Sequence, residues 1–277
     1  MRTVTLPDGE TVPAMGLGTW HMGERLGDHD REARALSRGL DLGMTVIDTA
    51  EMYGRGGAER VVSKAIEGRR DEVFIISKVL PHNASRHGTI EACEKSLKRM
   101  GIETIDLYLL HWQGRYSLTD TVAAFQELKR TGKIRHWGVS NFDTDEMEAL
   151  SGSPDGNKCQ TNQVLYNLSR RGVEWDLLPW CASHMMPVMA YSPLEQGRLA
   201  SEEALKTIAS AKGVTALQLA LAWCLQRDGV MVIPKASHLE HVEQNRVAGD
   251  IELEVEEIRA LDCAFPPPTG KRSLEIL

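Results

Sequence analysis

Short apolar runs rich in β-branched residues recur along this chain, separated by stretches whose apolar residues return every three or four positions, and no other feature constrains its fold as strongly. The runs are residues 14–18, 45–48, 73–78, 105–111, 134–140, 160–166, 188–192 and 230–235. Most are continuously apolar, as strands covered on both faces must be. Between them, Ile90, Cys93, Leu97 and Met100 keep helical spacing, as do Val122, Phe125 and Leu128. Such alternation demands parallel strands with helical crossovers. Eight units fit a closed (β/α)8 TIM barrel better than an open sheet, although spacing alone leaves the open sheet standing.

Two additions flank the series. Apolar-polar alternation on both sides of Asp8-Gly9, a dipeptide suited to the positive φ angles of a tight turn, predicts an N-terminal β-hairpin. Val255, Ile258 and Leu261 predict an extra C-terminal helix before the tail AFPPPTGKRSLEIL. Barrels of roughly 250 residues enclose one core, and no Pro/Gly/Ser linker or low-complexity tract interrupts this chain. Residues 1–277 are therefore read as one domain.

Composition narrows the partners. With 42% apolar and 26% charged residues the chain can bury a core. A net charge of −7 provides no basic face for nucleic acid or an anionic bilayer. MRTVTLPDGE lacks a signal-peptide layout and TALQLALAWCLQ is too short and polar to span a membrane, so a cytoplasmic protein without membrane partner is expected. Cys93, Cys159, Cys181, Cys224 and Cys263 form an odd, scattered set without CxxC spacing, which reads as reduced, buried thiols. His238 and His241 read as a helix-end phosphate or surface pair, and no metal site is assigned.

The strand ends hold the chemistry. Following each run to its end gives Thr19 and Trp20, Asp48, Lys78, His111, Ser140 and Asn141, Gln163, Tyr191 and Lys235. In a (β/α)8 barrel these ends open onto one face. Alone, Asp48 reads as a turn cap, His111 as a core histidine and Lys78 as a solvated cation. Together with nearby Tyr53 they form a set that is costly to bury without purpose. Tyrosine, with a pKa near ~10, holds its proton at neutral pH, and an adjacent ammonium eases its release. Asp48 would pin Lys78, and His111 would orient a carbonyl oxygen. Nothing in the set supplies an electron pair, so a hydride-carrying cofactor is implied. Gly16 and Gly18 lack the third glycine of a dinucleotide fingerprint and read as close strand packing.

These motifs resemble the aldo-keto reductases along nearly the whole chain. LGMTVIDTAEMYG, IISKV and DLYLLHW match the family's catalytic tetrad at Asp48, Tyr53, Lys78 and His111. The resemblance implies reduction of an aldehyde or ketone with NADPH, NADH remaining possible, by a monomer. It implies further that Ser140, Asn141 and Gln163 hold the nicotinamide carboxamide, that Tyr191 stacks on the ring, and that Ser192, Leu194 and Gly197 line the pyrophosphate. Gly18, Thr19, Trp20 and Asp48 belong to the same cofactor wall. IPKASHLEHVEQN would grip the adenosine end through Lys235, Ser237, His241, Gln244 and Asn245, but His241 stands where many members have arginine and Gln244 where they have glutamate. An imidazole cannot clamp phosphate as a guanidinium does, which weakens the NADPH preference.

Trp20, Tyr53, His111 and Trp112 would face the substrate, although Trp20 and Trp112 read nearly as well as ordinary core packing. A short loop after His111 and a short tail imply an open pocket for small substrates, as in the bacterial reductases of methylglyoxal and small aldehydes that this sequence resembles. Two alternatives remain at this stage: a nucleotide-binding regulatory subunit with little catalysis, and a barrel lyase forming a Schiff base through Lys78.

Overall fold

In the computed structural model, which describes residues 1–277, the apolar runs become parallel strands. They are β3 (Leu17–Gly18), β4 (Val46–Asp48), β5 (Phe74–Val79), β6 (Ile105–Leu110), β7 (Ile134–Ser140), β8 (Asn162–Leu165), β9 (Val188–Tyr191) and β10 (Val230–Val232), after a hairpin of β1 (Thr3–Thr5) and β2 (Thr11–Pro13). Neighbours in sequence are neighbours in the sheet. Every residue of β4, β5, β6, β8 and β10 is buried, which explains why these runs do not alternate.

Closure comes from parallel bridges Met15–Val232 and Gly18–Lys235, with Gly16 N donating to the Val232 carbonyl at 2.8 Å and Gly18 N to that of Pro234 at 3.0 Å. The first and last strands are shorter than the sequence predicts: pairing at this seam is intermittent, and Pro234 has no N–H to extend it. Glycine is obligatory here. A Cβ on Gly18 would lie 2.6 Å from the Ile233 carbonyl oxygen, and one on Gly16 would press on Val46 at 3.0 Å. The glycine pair thus serves strand packing.

The crossovers are α1 (His29–Asp41), α2 (Gly57–Ala65), α3 (Arg86–Met100), α4 (Leu118–Arg130), α5 (Thr144–Ser151) and α6 (Leu177–Ser183), with α7 (Glu203–Lys212) and α8 (Ala216–Leu225) both between β9 and β10. α9 (Leu239–Ala248) and α10 (Val255–Ala264) follow. α3 starts where Ser85 accepts from Gly88 N and stops at left-handed Gly101, burying Cys93, Leu97 and Met100. The apolar stretch near residue 220 is α8, buried from Leu219 to Leu225; no single helix is long and apolar enough to cross a membrane. The extra helix forms as α10, on a narrower stripe than expected, since Leu261 is buried but Val255 is exposed.

The hairpin turn is also wider than expected. Residues 6–10 form it, with Gly9 alone at positive φ, and Leu6 N donates to the Glu10 carbonyl. Its loop is fastened to the start of β7, where His136 sits between Asp8 at 2.7 Å and Glu10 at 2.5 Å, and Arg135 joins Glu10 to buried Asp106. Because these contacts lie at the N-terminal strand ends, the hairpin covers the barrel end opposite the cavity described below. Four cysteines are buried as expected, but Cys263, late in α10, is exposed.

The seam yields a prediction. Gly18→Ala forces a side chain against backbone and should cost about 1–3 kcal/mol in urea unfolding, in the range of core overpacking.

Candidate active site

Asp48 ends β4, Lys78 lies near the end of β5 and His111 follows β6, so adjacent strands present their side chains to one another. Tyr53 comes from the short 3-10 turn after β4. The Lys78 ammonium is wholly buried and donates to Asp48 Oδ1 and Oδ2, both at 2.8 Å, to the Thr49 carbonyl at 2.9 Å and to Tyr53 Oη at 3.2 Å. Three N–H groups are thereby committed. Since Lys78 donates into the phenol oxygen, the phenol's own hydrogen must turn elsewhere, and the open direction is the cavity.

Electrostatics refine the expectation for this pair. Burial pulls the Lys78 ammonium below its ordinary value, with Asp48 and then Glu59 opposing that pull. Burial and the charge of Asp48 hold the Tyr53 phenol well above the usual tyrosine value. Burial and Asp48 thus prevail over the neighbouring Lys78, and the phenol keeps its proton. His111 is pushed down to about 2 by burial and the Lys78 charge. Its Nδ1 is buried without a partner. Trp20 meets Tyr53 edge-on at 4.9 Å, Tyr53 meets His111 at 5.8 Å, and His111 lies 4.8 Å from Trp112.

A hydrogen-bonded chain runs from this cluster along the barrel mouth. Gln163 donates to Asp48 Oδ1 at 2.8 Å, Ser140 Oγ to the Gln163 carbonyl at 2.8 Å, and Asn141 Nδ2 to Ser140 Oγ and the His111 carbonyl, both at 3.1 Å. Tyr191 Oη closes it by donating to Asn141 Oδ1 at 3.0 Å. Asn141 needs a left-handed backbone, φ 58°, to face both ways. Beyond Tyr191, positive φ at Ser192, Glu195, Gln196 and Gly197 bends the loop into the kind of backbone concavity that receives anions.

One cavity of about 790 Å³ joins these parts, within the ~300–1,000 Å³ usual for ligand sites. Trp20, Tyr53, His111 and Trp112 line one end; Lys235, His241, Gln244 and Asn245 line the other. Gly18, Thr19, Asp48, Ser140, Asn141, Gln163, Tyr191, Ser192, Leu194 and Gly197 lie between. Two expected residues are not on its surface: Lys78 stands behind Tyr53, and Ser237 sits outside, with its Oγ 3.4 Å from Lys235 Nζ. The sequence reading missed His21, Met52, Gln196, Thr215 and Gln218, which come from turns and helix starts, and also Ile276 and Leu277. The short tail reaches the cavity after all and adds Ile276 and Leu277 to its lining.

The family model for the aldo/keto reductases matches residues 14–264. The chain belongs to the aldo/keto reductase family. It is 50% identical to the methylglyoxal reductase YeaE of Escherichia coli, over 96% of each chain, and 33% identical to the glyoxal reductase of Bacillus subtilis, over 94% of this chain and 92% of the relative. An aldo-keto reductase from Klebsiella pneumoniae crystallised with NADPH superposes with a TM-score of 0.97 at 50% identity, covering 100% of this chain and 99% of that one. This aldo-keto reductase is accordingly an oxidoreductase that acts on carbonyl groups.

Two outcomes follow for the reductase. Asp48→Asn strands a buried ammonium and should destabilise the fold by about 3–5 kcal/mol in chemical denaturation, whereas adding Lys78→Met should recover much of that loss. His111 should show no ring protonation by NMR between about pH 5 and 8. Its folded pKa lies below the ~6.5 of an unfolded imidazole, so the unfolded chain binds the extra proton and stability falls as pH drops below ~6.5. His111→Gln should flatten that acid limb of a stability–pH curve.

Proposed function

We propose that this chain reduces small aldehydes and ketones, foremost 2-oxoaldehydes such as methylglyoxal, with NADPH as reductant and Tyr53 as general acid. The observation that carries this reading is the Lys78–Tyr53 hydrogen bond, which turns the phenol's transferable hydrogen toward the cavity. Relatives named for methylglyoxal and glyoxal supply the substrate class, and the apolar walls of Trp20, Met52, Trp112, Ile276 and Leu277 suit small uncharged carbonyls.

The residues fit a nicotinamide dinucleotide. Tyr191 offers a half-buried aromatic face, the loop of residues 192–197 a concave backbone, and Asn141 and Gln163 amide groups between them. Lys235 at the far end gives a 2′-phosphate its cation, with His241 beside it, and this favours NADPH over NADH. Bound there, NADPH would supply the hydride that no side chain can give.

Neutral His111 would donate its one ring N–H to the substrate oxygen without adding a second cation beside Lys78. Tyr53 passes its proton to that oxygen as negative charge gathers on it, so the carbonyl leaves as an alcohol. Lys78 then faces the phenolate it leaves behind, and Asp48 keeps that ammonium charged and aimed. A Schiff base needs a free amine, whereas Lys78 is wholly buried with its N–H groups committed. The 76-residue buried cluster extends from Val4 to Leu261, which supports reading residues 1–277 as one domain.

Replacing Tyr53 with Phe should leave NADPH affinity, read by fluorescence titration, within error of wild type while methylglyoxal turnover drops by about 10²–10⁴-fold. Undiminished turnover would remove Tyr53 as the acid, and equal affinities for NADPH and NADH would remove the cofactor preference.

A further inference from the structure

The tail of residues 271–277 is stapled across the barrel mouth by polar contacts. Lys271 Nζ reaches Asp145 at the start of α5 at 2.9 Å and Asp176 just before α6 at 3.4 Å. Leu274 packs against the core. Glu275 accepts from Arg170 Nη1 at 2.6 Å, and Leu277 N donates to Tyr191 Oη at 3.4 Å. Ile276 and Leu277 therefore line the cavity beside the Tyr191 hydroxyl.

Arg170 has a second partner. Its Nε and Nη2 donate to Glu195 Oε1 at 3.2 and 3.0 Å. Glu195 lies in the positive-φ loop and is buried, its other oxygen taking Asn167 Nδ2 at 2.8 Å while Arg198 adds a contact at 2.8 Å. Asn167 Nδ2 also donates to the Ser192 carbonyl at 2.9 Å. One guanidinium thus holds the loop through Glu195 and the tail through Glu275. A planar fork meets the two carboxylates from separate nitrogens, whereas a lysine here would have to reach both with a single one.

The arm to the tail contributes little to folding. Glu275 is 44% exposed in its side chain, and partly solvated pairs of this kind have small effects on stability. Its effect lies in position: it fixes the end of the chain on Tyr191, which in turn bonds Asn141.

We propose that Arg170 is a positioning residue that couples the tail to the loop of residues 192–197, so that the tail acts as a strap retaining the cofactor. This rests on the reading that NADPH lies along Tyr191 and that loop. Coupling is reciprocal: if a seated tail tightens cofactor binding by slowing release, bound cofactor must favour the seated tail by the same free energy.

Amide hydrogen exchange of residues 272–277 with and without NADPH, and stopped-flow release of NADPH followed by protein fluorescence, test both directions. NADPH should slow exchange in the tail. Glu275→Gln should speed release by about twofold to fivefold, the scale of one partly exposed ion pair, with the melting temperature unchanged. Arg170→Lys, which keeps the charge but cannot fork, should release as fast as Glu275→Gln. A merely structural contact would instead lower the melting temperature and leave release untouched. Tail exchange indifferent to NADPH, or equal release from wild type and Glu275→Gln, overturns the strap while leaving the reductase reading intact; failure of the wild type to bind NADPH overturns both.

Discussion

A buried ammonium beside a buried carboxylate is the constraint on which this site depends. Lys78 has no exposure to solvent, and an isolated ion so placed would shed its charge. Asp48 at 2.8 Å through both oxygens opposes that tendency, and Glu59, itself buried and bonded to Ser77 and Arg99, adds a second negative charge nearby. Such a pair is weak evidence for stability, because desolvation consumes much of the attraction. Its use lies in direction. With Asp48 and Thr49 occupying the other N–H groups, the remaining one is aimed at Tyr53 Oη.

Only a rigid frame can keep that aim. The lysine and aspartate belong to adjacent parallel strands in fixed register, with Asp48 paired to Ile76. The frame closes through a seam where glycine lets strand backbones approach, and its far end is covered by a hairpin tied down through Glu10, Arg135 and Asp106. The two ends divide the work: ion pairs fasten the N-terminal end, while the C-terminal end leaves polar groups available around a cavity.

Much of this division was legible in the chain. Strand-end residues were readable because a barrel brings all such ends to one face, so Asp48, Lys78, His111, Ser140, Gln163 and Tyr191 could be grouped without coordinates. Gly16 and Gly18 were readable as packing for want of a third glycine. What escaped lacks periodicity: His21 and Met52 sit in turns, Thr215 and Gln218 at a helix start chosen by capping, and Ile276 and Leu277 in an irregular tail whose path is set by ion pairs distant in sequence. The tail's shortness suggested an open pocket, but reach depends on where a segment is anchored as well as on how long it is. Ser237 and Cys263 differ from expectation for a similar reason, since one residue's facing at the edge of an element follows from packing that no spacing rule encodes.

The balance at Tyr53 bears most directly on the chemistry. Lys78 lies beside the phenol, yet burial and Asp48 hold that phenol well above the usual tyrosine value. An acid that kept a low pKa there would lose its proton to water between turnovers. On the proposed reading of Tyr53 as general acid, a phenol held high would retain its proton until negative charge appeared on an oxygen placed opposite, and Lys78 would already point at the phenolate so formed. Neutral His111 belongs to the same design, because a second cation next to Lys78 would add repulsion to a site whose one ammonium is already difficult to desolvate. On that reading, the standing Lys78–Asp48 pair is placed to meet charge that would develop during reaction.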